Sequence, residues 1–334
     1  MNHVTIGDIA KDAGVSISTV SRVLNGNDRV SEEKRMRVQS SISRYHYHPS
    51  LVARTMITKR SEMIAVVEAD ARNPGTIRII EEINQYCTEN HQFLVICDYQ
   101  QDAKRAQQIL DSLLERNIDG LVFMGIQFDD QLLNKLKRFQ CPVVLAQQEP
   151  EKDHTFSTLI DDSYHGMRSV VSVLADAGHR KIAFIGGNEN DFSNGKERYR
   201  GYIDEMKHQG LDIPSAYVEQ TEFTMHGGWS GMKKIYEESS TLPTAVACGS
   251  DLIAAGCIRF LRSYGMKVPD DISVFGYDDS VDDLFEVPLS TVRSYDRGRL
   301  ICEQLFRQMN GEINPKRIVY PYKVIRRMST RRLK

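Results

Sequence analysis

Apolar residues at Ile6, Ile9, Ala10, Val15, Val20, Leu24, Val38 and Ile42 recur at helical spacing through the amino-terminal stretch, and no β-like alternation interrupts them. Thr5, with Asp8 three positions later, forms a capping-box pattern that opens a first helix. Gly14 tolerates a positive φ and lets the chain turn after about two helical turns. Ser16 stands where a cap is needed for a second helix, Ile17 to Leu24, which Asn25-Gly26 ends. Ser31 with Glu32 and Glu33 opens a third, which runs to about Tyr45. The pattern predicts a small all-α domain with a helix-turn-helix, an arrangement that lays its second helix in the major groove of DNA.

Residues 46–60 read as a boundary. Pro49 discourages continuation of the third helix, and a segment from Ser50 to Ile57 is short enough to need a partner helix or DNA to become stable. From Ser61 the texture changes. Continuous apolar runs at 63–67, 93–97, 120–124 and 142–146, then at 181–186, 216–219, 245–248 and 272–276, alternate with amphipathic segments. Such runs predict parallel strands covered on both faces, and two series predict two similar α/β lobes. Ligands of such sheets bind beyond the carboxyl ends of the strands, which places a small-molecule cleft between the lobes. The expected organisation is a helix-turn-helix DNA-binding domain at 1–46, a hinge helix and linker at 47–60, and a two-lobed effector-binding and dimerisation domain at 61–334.

Charge sharpens this division. The net charge of −2 conceals 10 Lys and Arg against 5 Asp and Glu in residues 1–60, leaving 33 against 40 in the remainder. A basic module on an acidic body fits a local contact with nucleic acid. With 41% hydrophobic and 26% charged residues the chain is neither disordered nor membrane-embedded, and no apolar run approaches a membrane span. The start, Met1-Asn2-His3-Val4-Thr5, lacks the basic and apolar regions of a secretory signal, so a cytoplasmic location is expected. Six cysteines (Cys87, Cys97, Cys141, Cys248, Cys257, Cys302) include no Cys-x-x-Cys pair and are expected to be reduced core residues. No cofactor or metal is expected. The chain has no P-loop, dinucleotide fingerprint, His-Glu-x-x-His or Gly-x-Ser-x-Gly pattern, which argues against an enzyme.

The stretch from Val4 to Gly26 resembles the DNA-binding head of the lactose-repressor/galactose-repressor family. The resemblance continues through Pro49 and Ala53-Arg54, then Arg116-Asn117-Ile118-Asp119-Gly120, Gly178 to Gly186, Arg198-Tyr199-Arg200-Gly201-Tyr202, Gly249-Ser250-Asp251, Val268 to Asp279 and Pro288 to Val292. It implies an all-α helix-turn-helix head joined to an α/β two-lobed, periplasmic-binding-protein-like core with parallel sheets. It also implies a homo-oligomeric repressor whose partners are double-stranded operator DNA and a small-molecule effector.

Site residues follow from matching positions. Ile17, Ser18 and Arg22 point away from the apolar face of the second helix and match the family's base-contacting positions; Arg22 suits a bidentate contact to guanine and Ile17 a thymine methyl. Ser16, Thr19, Ser21 and Asn25 suit phosphate contacts, and Thr5 and Arg29 complete the DNA-facing set. In the hinge, Ala53 and Arg54 precede Met56, which stands where the family carries a leucine wedge for the minor groove. Ser50 replaces the usual asparagine after Pro49.

In the cleft, Arg198 and Asp278 are the strongest effector-binding candidates. Asn194 and Ser250 are polar companions, Phe223 is a stacking aromatic, Gln147 stands where relatives carry an acid, and Asp70 and Asn73 follow the first strand. Asp251 and Asp279 are expected to be helix caps as readily as ligands. This mixture favours a neutral sugar effector, with a phosphosugar, purine or protein corepressor as the alternative. A sensor that binds sugar without acting on DNA fits less well, because the head is intact. No leucine heptad lies near Arg331-Arg332-Leu333-Lys334, so a homodimer is expected over a tetramer.

Overall fold

The computed structural model describes residues 4–24, 29–47, 60–125, 129–147, 149–150, 152–187, 194–281, 286–312 and 314–333. The chain forms two compact units, Met1–Ser61 and Glu62–Lys334.

The described residues of the first unit form the helices α1 (Ile6–Ala13), α2 (Ile17–Leu24) and α3 (Glu32–Tyr45). The capping box forms at Thr5: its hydroxyl accepts from the Asp8 amide, and the Asp8 carboxylate accepts from the Thr5 amide at 2.8 Å. Gly14, at φ +62°, makes the left-handed stop to α1. Ser16 Oγ accepts from the Thr19 amide at 3.2 Å and caps α2. Ser31 makes no side-chain cap, contrary to the usual role of serine there, and Glu32 and Glu33 favour the helix start by charge alone. Ile9, Ala10, Ala13, Val20, Val23, Val38 and Tyr47 form the core. Asp12 ties α1 to α3 by accepting from Ser41 Oγ at 2.7 Å and Arg44 Nη1 at 3.1 Å.

In the second unit, one lobe is built on β1 (Met63–Glu68), β2 (Phe93–Asp98), β3 (Gly120–Met124), β4 (Val143–Ala146) and β5 (Ser157–Ile160). Between them run α4 (Pro74–Glu89), α5 (Ala103–Leu114) and α6 (Asp130–Leu136). The chain then passes through α7 (Ser163–Asp176) to the second lobe, with β6 (Ile182–Gly186), α8 (Gly195–His208), β7 (Val218–Gln220), α9 (Met225–Glu238), β8 (Ala245–Cys248), α10 (Asp251–Ser263), β9 (Ser273–Phe275) and β10 (Thr291–Ser294). α11 (Arg297–Met309) returns to pack on α4, β11 (Arg317–Val319) pairs with β5, and β12 (Tyr322–Ile325) returns to pair antiparallel with β10.

The first sheet has the order β11-β5-β4-β3-β1-β2 and the second β7-β6-β8-β9; every pairing in both is parallel. Apolar clusters cover each sheet on both faces, which is why the strand sequences run apolar without alternation. The expected strand at 216–219 is displaced: Ser215–Tyr217 is a turn of 3-10 helix that follows Pro214, and β7 starts at Val218. Among the described residues no helix is long and apolar enough to cross a membrane.

The second lobe depends on close contact of α9 and α10. A Cβ on Gly228 would fall 2.0 Å from the Ile253 carbonyl oxygen, and one on Gly256 would fall 1.9 Å from that of Met225, so only glycine permits this approach. Gly228→Ala and Gly256→Ala are each expected to lower unfolding stability by about 1–3 kcal/mol, because backbone must move; chemical denaturation followed by circular dichroism measures it.

Candidate functional site

The outer face of α2 carries the first group of candidates. Val20 and Val23 are buried, and the helical period turns Ile17, Ser18 and Arg22 outward, with Ile17 54% exposed. An exposed isoleucine between two serines has nothing to gain from water, and its place on this face suits it to an apolar contact such as a thymine methyl. Ser16 Oγ lies 2.8 Å from Ser18 Oγ and 2.9 Å from Thr19 Oγ1, so three hydroxyls cluster at the amino end of α2. That end also carries the positive pole of the helix, where a phosphate is favoured. Ser21 is half-buried, and Arg29 is exposed beyond α2. Thr5 is exposed but its hydroxyl is engaged with Asp8 at 2.7 Å, so it serves α1 first. Asn25, Ala53, Arg54 and Met56 lie outside the described residues.

The second group lies in the larger unit. A cavity of about 730 Å³ opens where the two sheets' carboxyl ends face each other, within the range of small-molecule sites. Asp70, Asn73, Gln147, Asn194, Arg198, Phe223, Ser250 and Asp278 all line it. Their duties differ. Asn73 Oδ1 accepts from the Gly75 amide at 2.9 Å and Ser250 Oγ from the Ile253 amide at 3.2 Å, so both cap helices. Asp70 accepts from Arg72 Nε at 3.2 Å, and Asn194 Oδ1 accepts from Ser163 Oγ at 3.0 Å.

Arg198 and Asp278 are the charged centre. Arg198, only 2% exposed, donates from Nη2 to Asp278 Oδ1 at 2.8 Å and from Nη1 to the Gly249 carbonyl, while its guanidinium lies 3.7 Å from the Tyr277 ring centroid. Burial opposes this charge, but Asp278 and its neighbours restore it and hold the guanidinium above its ordinary pKa. Arg198 Nε has no hydrogen-bond partner among the described residues. A buried donor left unmet costs about 1–3 kcal/mol, a cost that a ligand acceptor would remove. The Phe223 ring lies 6.0 Å from the same guanidinium and offers an apolar wall.

Backbone geometry marks the same place. Gln147 at φ 72° and Asp278 at φ 99° are non-glycine residues in the left-handed region, held by bonds from their amides to Leu159 O and Val292 O, each at 2.8 Å. Such conformations persist where surrounding structure enforces them, often at binding sites.

Among the described helices neither Asp251 nor Asp279 is a cap. Ser250 takes that role on α10, and Asp251 is buried, accepting from Thr291 Oγ1 at 2.8 Å and from the Ser280 amide at 2.7 Å. Burial first, then the charges of Asp278 and Asp279, push its carboxyl up to about 7. Asp279 pairs with Arg327 at 2.7 Å and Arg293 at 3.4 Å. Its carbonyl accepts from Arg78 of α4 at 2.6 Å, a direct bond between the lobes.

The motif reading missed Glu68, Thr76, Gln101, Gln220, Glu222 and Ser280, which also line the cavity. Glu68 had a visible sign: it is a carboxylate closing an otherwise apolar strand. No group of His, Cys, Asp and Glu among the described residues could hold a metal ion, and the six cysteines are free.

The model for bacterial regulatory proteins of the lacI family matches residues 5–50, and that for the periplasmic binding protein-like domain matches residues 171–330. The chain is 32% identical to the HTH-type transcriptional repressor PurR of Pasteurella multocida, over 98% of this chain and 99% of that one. It is 33% identical to the ribose operon repressor of Haemophilus influenzae, over 92% of each. It is 29% identical to catabolite control protein A of Priestia megaterium, over 98% of this chain and all of that one. Among solved structures, the lac repressor dimer bound to operator and an anti-inducer superposes with a TM-score of 0.89 at 23% identity, over 99% of this chain and 100% of that one. A CelR–cellobiose complex superposes at 0.73 with 27% identity, covering 98% of this chain and 99% of that one. The chain belongs to the LacI family of DNA-binding, effector-regulated bacterial transcriptional regulators, which are not enzymes.

Proposed function

We propose that this chain represses genes of carbohydrate uptake or catabolism in the cytoplasm, binding a palindromic operator as a homodimer and releasing it when a sugar or sugar-derived effector enters the cavity. The observation that carries the effector reading is the convergence on one cavity of the Arg198–Asp278 pair, the Phe223 ring and several side-chain amides and hydroxyls. Directional polar groups against an aromatic wall are what a polyhydroxylated ring requires. On the DNA side, Arg22 and Ile17 read base edges, Ser18 reaches a base edge or phosphate, and Ser16, Thr19 and Ser21 fix the register on phosphates. The hinge positions Ala53, Arg54 and Met56 are assigned to the minor groove.

A homodimer is supported by β2. This strand ends the first sheet, and its Phe93 and Ile96 are 67% and 48% exposed. An apolar edge strand left in water invites association, and a two-fold interface buries it. Two heads on a two-fold axis then match a palindromic operator.

Fluorescence anisotropy with a duplex from the gene's own upstream region, at fixed salt, tests the DNA assignment. Arg22→Ala is expected to remove about 1–3 kcal/mol of discrimination between that duplex and random DNA while the effector response of the residual binding persists. Asp278→Ala is expected to leave operator binding in place and abolish the response to sugar. An intact sugar response in Asp278→Ala contradicts the cleft assignment, and a ligand that tightens operator binding makes the switch a corepressor one. For the interface, Phe93→Lys with Ile96→Lys is expected to shift sedimentation from dimer to monomer and to weaken operator binding; an unchanged dimer contradicts the use of this edge.

A further inference from the structure

Glu68 is a carboxylate of the cavity wall with one oxygen unmet. It closes β1 and is 2% exposed. Its Oε1 accepts from the Asp70 amide at 2.6 Å, while Oε2 has no hydrogen-bond partner among the described residues. No cation pairs with it among the described residues. The charges that act on it are those of Asp70, beyond the end of its own strand, and Asp98 on the adjoining β2, both acidic. Burial first, and these two charges after it, push the Glu68 carboxyl up to about 7, against the bond from the Asp70 amide and the smaller opposing effect of the Thr76 side chain on α4.

The rest of the lining sharpens the problem. Asp70, Glu222 and Asp278 add three more carboxylates, and Arg198 is the only cationic side chain among the described lining residues. Its charge is already committed to Asp278, the Gly249 carbonyl and the Tyr277 ring. An anionic ligand would enter a lining with more carboxylates than cations, where the Arg198 guanidinium is already paired with Asp278 and keeps only its Nε donor unmet. A ligand ammonium meets the opposite situation: it brings donors to Oε2 and the charge that Glu68 lacks. A hydroxyl would bring one donor and no charge.

We infer that Glu68 selects the effector by accepting a protonated amine, so that the cavity takes an amino sugar in preference to its neutral parent and rejects phosphorylated sugars. This rests on the reading of the cavity as a sugar site. Glu68 binds in its ionised form, so below its raised pKa each step down in pH leaves a smaller fraction competent. Affinity for an amino sugar therefore rises with pH up to neutrality, by about tenfold from pH 5.5 to 7. A neutral sugar does not need the charge and lacks this rise.

The test is isothermal titration calorimetry on the full-length protein with matched sets: glucose, galactose and mannose, their 2-amino derivatives, and their 6-phosphates. At least one amino sugar is expected to bind about tenfold or more tightly than its neutral parent, with the 6-phosphate weaker than either. Glu68→Gln keeps an acceptor for the Asp70 amide but cannot carry the charge. In this variant the advantage of the amino sugar is expected to collapse, with circular dichroism reporting whether the fold is intact. The pH profile of the unsubstituted protein gives the same answer if the variant does not fold. A neutral sugar binding as tightly as its amino derivative, a 6-phosphate binding more tightly, or a flat pH profile overturns the inference alone. Absence of binding by every sugar of every charge overturns the sugar-site reading, and the inference with it.

Discussion

The ion pair between Arg198 and Asp278 organises the larger unit. A guanidinium that is 2% exposed is tolerable only with charge and acceptors around it, and here they come from two separate segments: the Gly249 carbonyl from one, the Tyr277 ring and Asp278 carboxylate from the other. Asp278 must adopt a left-handed backbone to reach it, and the next residue, Asp279, is fixed by Arg293 and Arg327. The Asp279 carbonyl in turn holds Arg78 of the opposite lobe. A ligand that altered the Arg198–Asp278 geometry would act one residue away from a bond between the lobes. That is the physical route by which occupancy of the cavity can favour one lobe arrangement over another.

A regulator needs such a route because its two ligands do not share a site. The residues we assign to DNA lie on α2 in the small unit, and the cavity lies in the large one. Coupling then requires that the effector bind the DNA-competent and DNA-incompetent forms with different affinity, since a ligand with equal affinity for both shifts nothing. The polar groups left unmatched in the cavity, Arg198 Nε and Glu68 Oε2, are reservoirs for such a difference, because their cost is relieved only in a form that holds the ligand correctly.

Much of this was legible from residues alone. The Thr5–Asp8 box, the Gly14 stop and the Ser16 cap are local devices, and each forms where its pattern stands. The apolar runs of β1, β3, β4, β6 and β8 became central parallel strands, where burial on both faces leaves no polar alternation to obscure them, while β2 took an edge with Phe93 and Ile96 exposed. β5, β10, β11 and β12 escaped notice because polar residues such as Ser157, Thr158, Arg293, Arg317 and Lys323 interrupt so short a run, and their pairing joins residues far apart, as when Arg317 meets Thr158. The cavity residues came from resemblance, since nothing in the spacing of Gln147, Arg198, Phe223 and Asp278 brings them together; the crossing of the chain between lobes does. Asp251 misled as a helix cap because Ser250, one position earlier, takes that role and leaves Asp251 to the interior. Glu68 was passed over because the candidates taken there, Asp70 and Asn73, follow the strand, and a strand's last residue is easily read as its edge.

The central claim is that the cavity and the DNA-binding head are thermodynamically linked, and reciprocity tests it most directly. The affinity of the full-length protein for the sugar that alters operator binding is measured by calorimetry with and without saturating operator duplex. The account predicts that operator changes sugar affinity by the same factor by which the sugar changes operator affinity. Equal sugar affinity in the presence and absence of operator would contradict it.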